Sequence, residues 1–199
     1  MLAVKTSKTA YDNACNSREI AIKPLKKTCT RIINALEATN ATKQTVNDVK
    51  TINHKIQGKQ AKASKTPINQ VTNSDIITPL PEIPQISTIQ QSYDSLIDNF
   101  HKLIVAISAE PLFIPNEIDL KATSLNTNLT NLRTLNTAAI NATTQYSNSR
   151  IIRDTALYQP LIGMVDIALE IKKYIKSVYG ATSPQYKQIS SLKFKKFKK

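Results

Sequence analysis

Few side chains in this sequence have both the type and the spacing that chemistry requires. The two histidines, His54 and His101, belong to no HExxH, ExxH or Cys/His constellation of zinc spacing. The nearest approach is Asp94, Asp98 and His101, which share one side of a helix. A carboxylate-bridged di-iron bundle would need a second such pair and further inward glutamates. On a helical wheel the trio sits roughly 110–170° from the apolar centre, so it reads as a solvated acidic flank. No metal and no cofactor is expected.

Nucleophilic chemistry fares no better. Cys15 and Cys29 fall on an apolar helical face with no histidine nearby in sequence, which is the setting of inert core thiols. On one continuous helix they would lie about 21 Å apart, beyond the reach of a disulfide, so both are expected reduced. Gly58-Lys59 has no glycine-rich phosphate loop before it and follows a helix instead of a strand. The expectation is therefore a protein that is not an enzyme, and it rests on the absence of familiar motifs.

Charge is the more informative feature. Arg18, Arg150 and Arg153 occupy inward positions of helical seams, where a guanidinium needs a paired carboxylate. Glu110 and Glu117 are the carboxylates within reach on this reading, which makes the three arginines buried-ion-pair candidates. The alternative is that they lie at open ends and extend into water. The net charge of +13 is uneven: residues 1–65 hold thirteen Lys/Arg against four Asp/Glu, residues 66–149 three against seven, and residues 150–199 eleven against three. Basic ends around an acidic middle suit attraction of a polyanion, or folding of the middle against the ends.

The last eight residues, Leu192, Lys193, Phe194, Lys195, Lys196, Phe197, Lys198 and Lys199, interleave aromatics with lysine. Such a tail can neutralise phosphates while its rings stack on bases or touch lipid. A solvated terminus with Phe194 folded back explains it nearly as well. A second basic stretch, Lys55, Lys59, Lys62 and Lys65, would strengthen the polyanion role if it shared a face with the tail.

The elements that must position these residues read as helices. Tyr11, Cys15, Arg18, Ile22, Leu25, Cys29, Ile32 and Leu36 recur in steps of three and four, with Pro24 marking either a kink or the start of a new helix. Asn40 reads as a left-handed cap, and Thr42 opens a second seam of Val46, Val49, Ile52 and Ile56 that Gly58 ends. Residues 59–86 lose all periodicity and carry Pro67, Pro79, Pro81 and Pro84, a linker or loop. A third seam follows: Ile89, Tyr93, Leu96, Phe100, Leu103 and Ile107. Asn116 with Asp119 predicts a capping box opening a fourth, more polar seam of Ile118, Ala122, Leu125, Leu129, Leu132, Asn136 and Ala139. The fifth seam is Leu157, Leu161, Met164, Ala168, Ile171, Ile175 and Val178, stopped by Gly180.

These seams predict an all-α fold: an antiparallel bundle of four long amphipathic helices with one or two shorter ones. Three glycines in 199 residues disfavour turn-rich sheets. The expected organisation is an N-terminal helical hairpin over 1–58, the linker 59–86, the remaining bundle over 87–192 and the basic tail 193–199. The opening residues carry no apolar leader core, and no stretch approaches the roughly 18 apolar residues of a membrane span. A cytoplasmic protein is expected. The two ends also resemble each other faintly, Asn16-Ser17-Arg18 before Pro24-Leu25 against Asn148-Ser149-Arg150 before Pro160-Leu161.

Pro115-Asn116-Glu117 and the run from Leu157 to Leu192 resemble uncharacterised helical proteins of Bacteroidetes bacteria. The resemblance implies a bacterial, cytoplasmic setting and brings no activity, ligand or catalytic residue. Two functions are thus expected from the residues: a helical protein contacting nucleic acid or another polyanion, or a structural or adaptor bundle that self-associates or binds a protein partner.

Overall fold

The computed structural model describes residues 2–58 and 91–195, and the linker 59–86 lies outside them. Among the described residues the chain is all-α, with seven helices: α1 (Leu2–Ile22), α2 (Leu25–Glu37), α3 (Lys43–Gln57), α4 (Tyr93–Ser108), α5 (Ala122–Tyr158), α6 (Met164–Tyr179) and α7 (Pro184–Ser190). A 3-10 turn, Ile118–Leu120, precedes α5. No helix is long and apolar enough to cross a membrane among the described residues.

The chain divides into two compact units, one of residues 1–15 with 139–199, the other of 16–138. The second unit holds the hydrophobic core. In α4 the apolar residues Leu96, Ile97, Phe100, Leu103, Ile104 and Ile107 follow steps of one and three, giving a broad face that packs on α3 and shares one buried cluster with α2. Opposing it are Leu25, Cys29, Ile32, Ile33 and Leu36 of α2, with Val49 and Ile56 of α3. Leu120, Leu125, Leu129 and Leu132 complete the cluster from the 3-10 turn and α5. Phe100 is fully buried.

Local chemistry sets the boundaries. The Thr42 hydroxyl accepts from the Thr45 amide at 3.2 Å, and Ser92 does the same for Ser95 at 3.2 Å, satisfying orphan amides at the starts of α3 and α4. Gly58 closes α3 with φ 73°, a left-handed geometry that glycine takes without strain. Beyond it, the Gln91 side chain donates to the Lys55 carbonyl at 2.7 Å, and the Gln57 side chain donates to the Lys26 carbonyl at 2.8 Å. These amides join three helix ends. Pro24 separates α1 from α2, resolving the alternative in favour of a new helix.

Three expectations are corrected. Asn40 is not left-handed: α2 ends at Glu37, and Leu161 is the one non-glycine with positive φ among the described residues. No capping box opens at Asn116, because Asp119 is turned toward the Arg31 guanidinium, which holds its carboxyl below the usual range. Lastly, the fourth seam does not stop near residue 139. It runs on as the 37-residue α5 to Tyr158, and the fifth helix begins only at Met164.

Such length is unusual for a segment so rich in Thr and Asn. The hydroxyls of Thr127, Thr130, Thr134, Thr143 and Thr144 each donate to the carbonyl four residues earlier, so they find partners without leaving the helix. In the first unit the packing is sparse. Tyr11 of α1 stacks on Tyr146 of α5 with centroids 5.6 Å apart, and Ala139 and Val165 are buried. Ser183 caps α7 by accepting from the Tyr186 amide at 3.1 Å, with Pro184 at the first helical position, a start signal that lies outside the apolar seams.

Candidate functional site

Two places in the described structure depart from what a covered helical core requires. The first is a polar chain inside the second unit. Arg18 sits half-buried with its guanidinium carbon 3.9 Å from the Tyr93 ring centroid. Its Nη1 donates to Asn136 Oδ1 at 3.2 Å, and Asn136 Nδ2 donates to Asp94 Oδ1 at 2.6 Å. An amide thus relays between cation and carboxylate. Arg18 Nε is buried with no hydrogen-bond partner. The expected carboxylates serve elsewhere: Glu110 accepts from the Leu112 amide at 3.3 Å, and Glu117 is exposed beside the 3-10 turn.

Next to this chain lies an open cavity of about 240 Å³, lined by Asp94, Ile97, Asp98, Arg133, Asn136 and Thr137. Asp94, Asp98 and Arg133 are exposed there, so water hydrates the charges. His101 is half-buried, and no group of three or more His, Cys, Asp or Glu able to hold a metal occurs among the described residues.

The other arginines meet different surroundings. Arg150 is exposed, its guanidinium carbon 5.7 Å from the Tyr146 ring centroid. Arg153 pairs with its neighbour Asp154 at 2.6 Å, both about one-third to two-fifths exposed. Neither forms a buried ion pair. Both stand on α5, in the sparsely packed first unit, instead of on an inward seam leading into α6. The thiols are free: Cys15 is half-buried, while burial pushes the Cys29 thiol up to about 12. A hydrogen bond with Cys15 raises Tyr11 above its ordinary value.

The second departure is α6. Its sequence places Met164, Ile167, Ile171, Tyr174 and Val178 at steps of three and four, inside an arc of about 80° at 100° per residue. All five are exposed, from 43% at Ile167 to 69% at Tyr174. The expected seam of Leu157, Leu161, Met164, Ala168, Ile171, Ile175 and Val178 is therefore not an inward face. Val165 is the buried side chain of α6, and α7 is its near neighbour.

The turn before α6 adds to the exposed apolar surface. Leu161 takes φ 71° and is 76% exposed, and Ile162 is 65% exposed. A bulky residue in the left-handed region costs about 1–2 kcal/mol. The Leu161 amide donates to Asp166 Oδ2 at 3.2 Å, which helps hold the turn. At Gly163 a Cβ would come within 2.6 Å of the Gln159 carbonyl oxygen, so only glycine fits so close to backbone.

Of the basic candidates, Lys55 is exposed in the second unit, and Lys193 and Lys195 are exposed in the first, with Phe194 half-buried. Lys59, Lys62, Lys65, Lys196, Phe197, Lys198 and Lys199 lie outside the described residues. Lys172 Nζ donates to the carbonyls of Ser190 at 2.7 Å and Leu192 at 2.8 Å, tying the segment that leads to Lys193 and Lys195 against α6. Lys55 and the pair Lys193 and Lys195 thus belong to different units.

No protein-family model, curated protein or solved structure matches the chain. What is defined is the class, an all-α protein of two helical units, one with a dense core and one with an exposed apolar stripe.

Proposed function

We propose that this chain is a non-enzymatic helical binding protein whose first unit contacts a polyanion, such as nucleic acid. One observation carries the reading: among described residues, the first unit holds ten Lys/Arg against four Asp/Glu, whereas the larger second unit holds eleven against eight. Concentrated positive charge on one unit attracts phosphate-bearing partners and binds in a salt-dependent way. On duplex DNA the logarithm of affinity would fall with a slope of about −0.9 per phosphate neutralised.

The test compares two charge reversals of equal size. Changing Lys173, Lys187, Lys193 and Lys195 to glutamate should abolish retention on a heparin column, while changing Lys23, Lys27, Lys43 and Lys102 should leave most of it. All eight side chains belong to exposed residues, so neither set disturbs the core. Equal losses from both sets would sink the assignment to the first unit.

A second reading, a structural or adaptor bundle that self-associates or binds a protein partner, draws on the exposed apolar stripe of α6. It predicts a light-scattering mass that rises with concentration.

A further inference from the structure

Resting on the polyanion reading, we propose that the polyanion is an anionic lipid surface, with α6 lying in the headgroup layer and its apolar stripe toward the acyl chains. The stripe carries Met164, Ile167, Ile171, Tyr174 and Val178, each at least two-fifths exposed. Nucleic acid has no use for such a surface, because phosphates and bases reward lysine and flat rings, not aliphatic branches. A bilayer rewards both halves of the helix.

The polar half fits as well. Lys172, Lys173 and Lys176 lie about 120–160° from the centre of the stripe at 100° per residue. Lysine on one face with large apolar residues on the other is the pattern of a helix that lies in a membrane interface. Sixteen residues span about 24 Å, and three lysines among them bar insertion across the bilayer, so the helix lies flat. Leu161 and Ile162, on the strained turn at its start, prolong the apolar surface beyond the first turn. Tyr174 brings an aromatic ring with a polar tip, suited to headgroup depth.

Charge decides between lipid and a second copy of the chain. Two first units would each bring an excess of six positive charges among described residues, opposing self-association. The stripe also covers only about two heptads, fewer than the three to four that mark a coiled coil. An anionic leaflet instead attracts each nearby Lys or Arg.

The sequence has no tryptophan, so Tyr174→Trp supplies a single reporter. Its emission should shift to the blue with phosphatidylcholine vesicles containing about one-third phosphatidylserine, and stay unchanged with phosphatidylcholine alone. Ile171→Ser and Val178→Ser together should weaken vesicle binding about tenfold or more, since each removes buried carbon worth about 0.8 kcal/mol per methylene. The same pair should leave heparin retention unchanged. Both positions are exposed, and unaltered far-UV circular dichroism would confirm the fold.

Heparin or duplex DNA binding without vesicle binding would overturn the lipid assignment and leave the polyanion reading standing. Binding to none of the three would remove both. Equal binding to neutral vesicles, or a dimer in sedimentation that Ile171→Ser dissolves and that excludes vesicles, would also overturn the lipid assignment.

Discussion

Replacing Asn136 by leucine should destabilise the second unit by about 2 kcal/mol, and replacing Arg18 as well should cost little more. Asn136 is 7% exposed and makes two charge-assisted hydrogen bonds, at 3.2 Å from Arg18 and 2.6 Å to Asp94. Hydrogen bonds to charged groups contribute about 1.5–3 kcal/mol each. Asp94 is exposed, so water can replace its lost partner. The cost falls mainly on Arg18, whose Nε already lacks a partner and whose Nη1 would join it. Arg18→Met alone removes the contact with Tyr93, about 1–2 kcal/mol for a partly desolvated cation over a ring. It also strands the Asn136 carbonyl oxygen. In the double variant neither stranded group remains, so the cycle should show a coupling of about 2 kcal/mol. Urea unfolding followed by far-UV circular dichroism reads the effect as a midpoint shift of about 1 M for each single variant, at a slope of about 2 kcal/mol per M. Additivity within about 0.5 kcal/mol would refute the relay.

Phe100→Ala, at the fully buried centre of α4, should cost about 3–5 kcal/mol in the same titration. Cys29 should resist thiol reagents at pH 8 until urea unfolds the protein, while half-buried Cys15 reacts sooner. Because burial raises the Cys29 thiol from 9.0 to about 12, the neutral form binds its proton more tightly in the fold; its stabilisation is complete below pH 9 and is lost as pH rises toward 12, which pH-dependent unfolding of a Cys29→Ala control would isolate. Leu161→Gly should protect the amides of α6 from hydrogen exchange at least as well as wild type, and Leu161→Val worse by about 1 kcal/mol, since φ 71° suits glycine and penalises a β-branched residue.

The helices were legible because the second unit obeys simple rules. Seams at Leu25, Cys29, Ile32 and Leu36, and at Leu96, Phe100, Leu103 and Ile107, do pack together, and Thr42 and Gly58 bound α3 as their chemistry demands. The all-α class follows from those periods. The site was half legible. Arg18 stood as a polar residue in an apolar register, which flagged it, whereas Asn136 read only as a member of the more polar fourth seam, and nothing in spacing shows that the two meet across 118 positions of chain. Glu110 and Glu117 were the wrong partners because an amide oxygen can accept from a guanidinium without a formal charge to mark it in the sequence.

The stripe on α6 was misread for a deeper reason. Steps of three and four state which side chains share a helical face; they carry no information about what covers it. Coverage is decided by tertiary placement, and the backbone break at 159–163, which holds Pro160 and the close approach of Gly163 to Gln159, sets α6 apart as a helix of its own. A stripe that tertiary packing leaves uncovered keeps its full hydrophobic driving force for a surface outside the chain. Met164, Ile171 and Val178, which read as core by spacing, are therefore, with Ile167 and Tyr174 beside them, the residues whose substitution should leave folding intact and change binding.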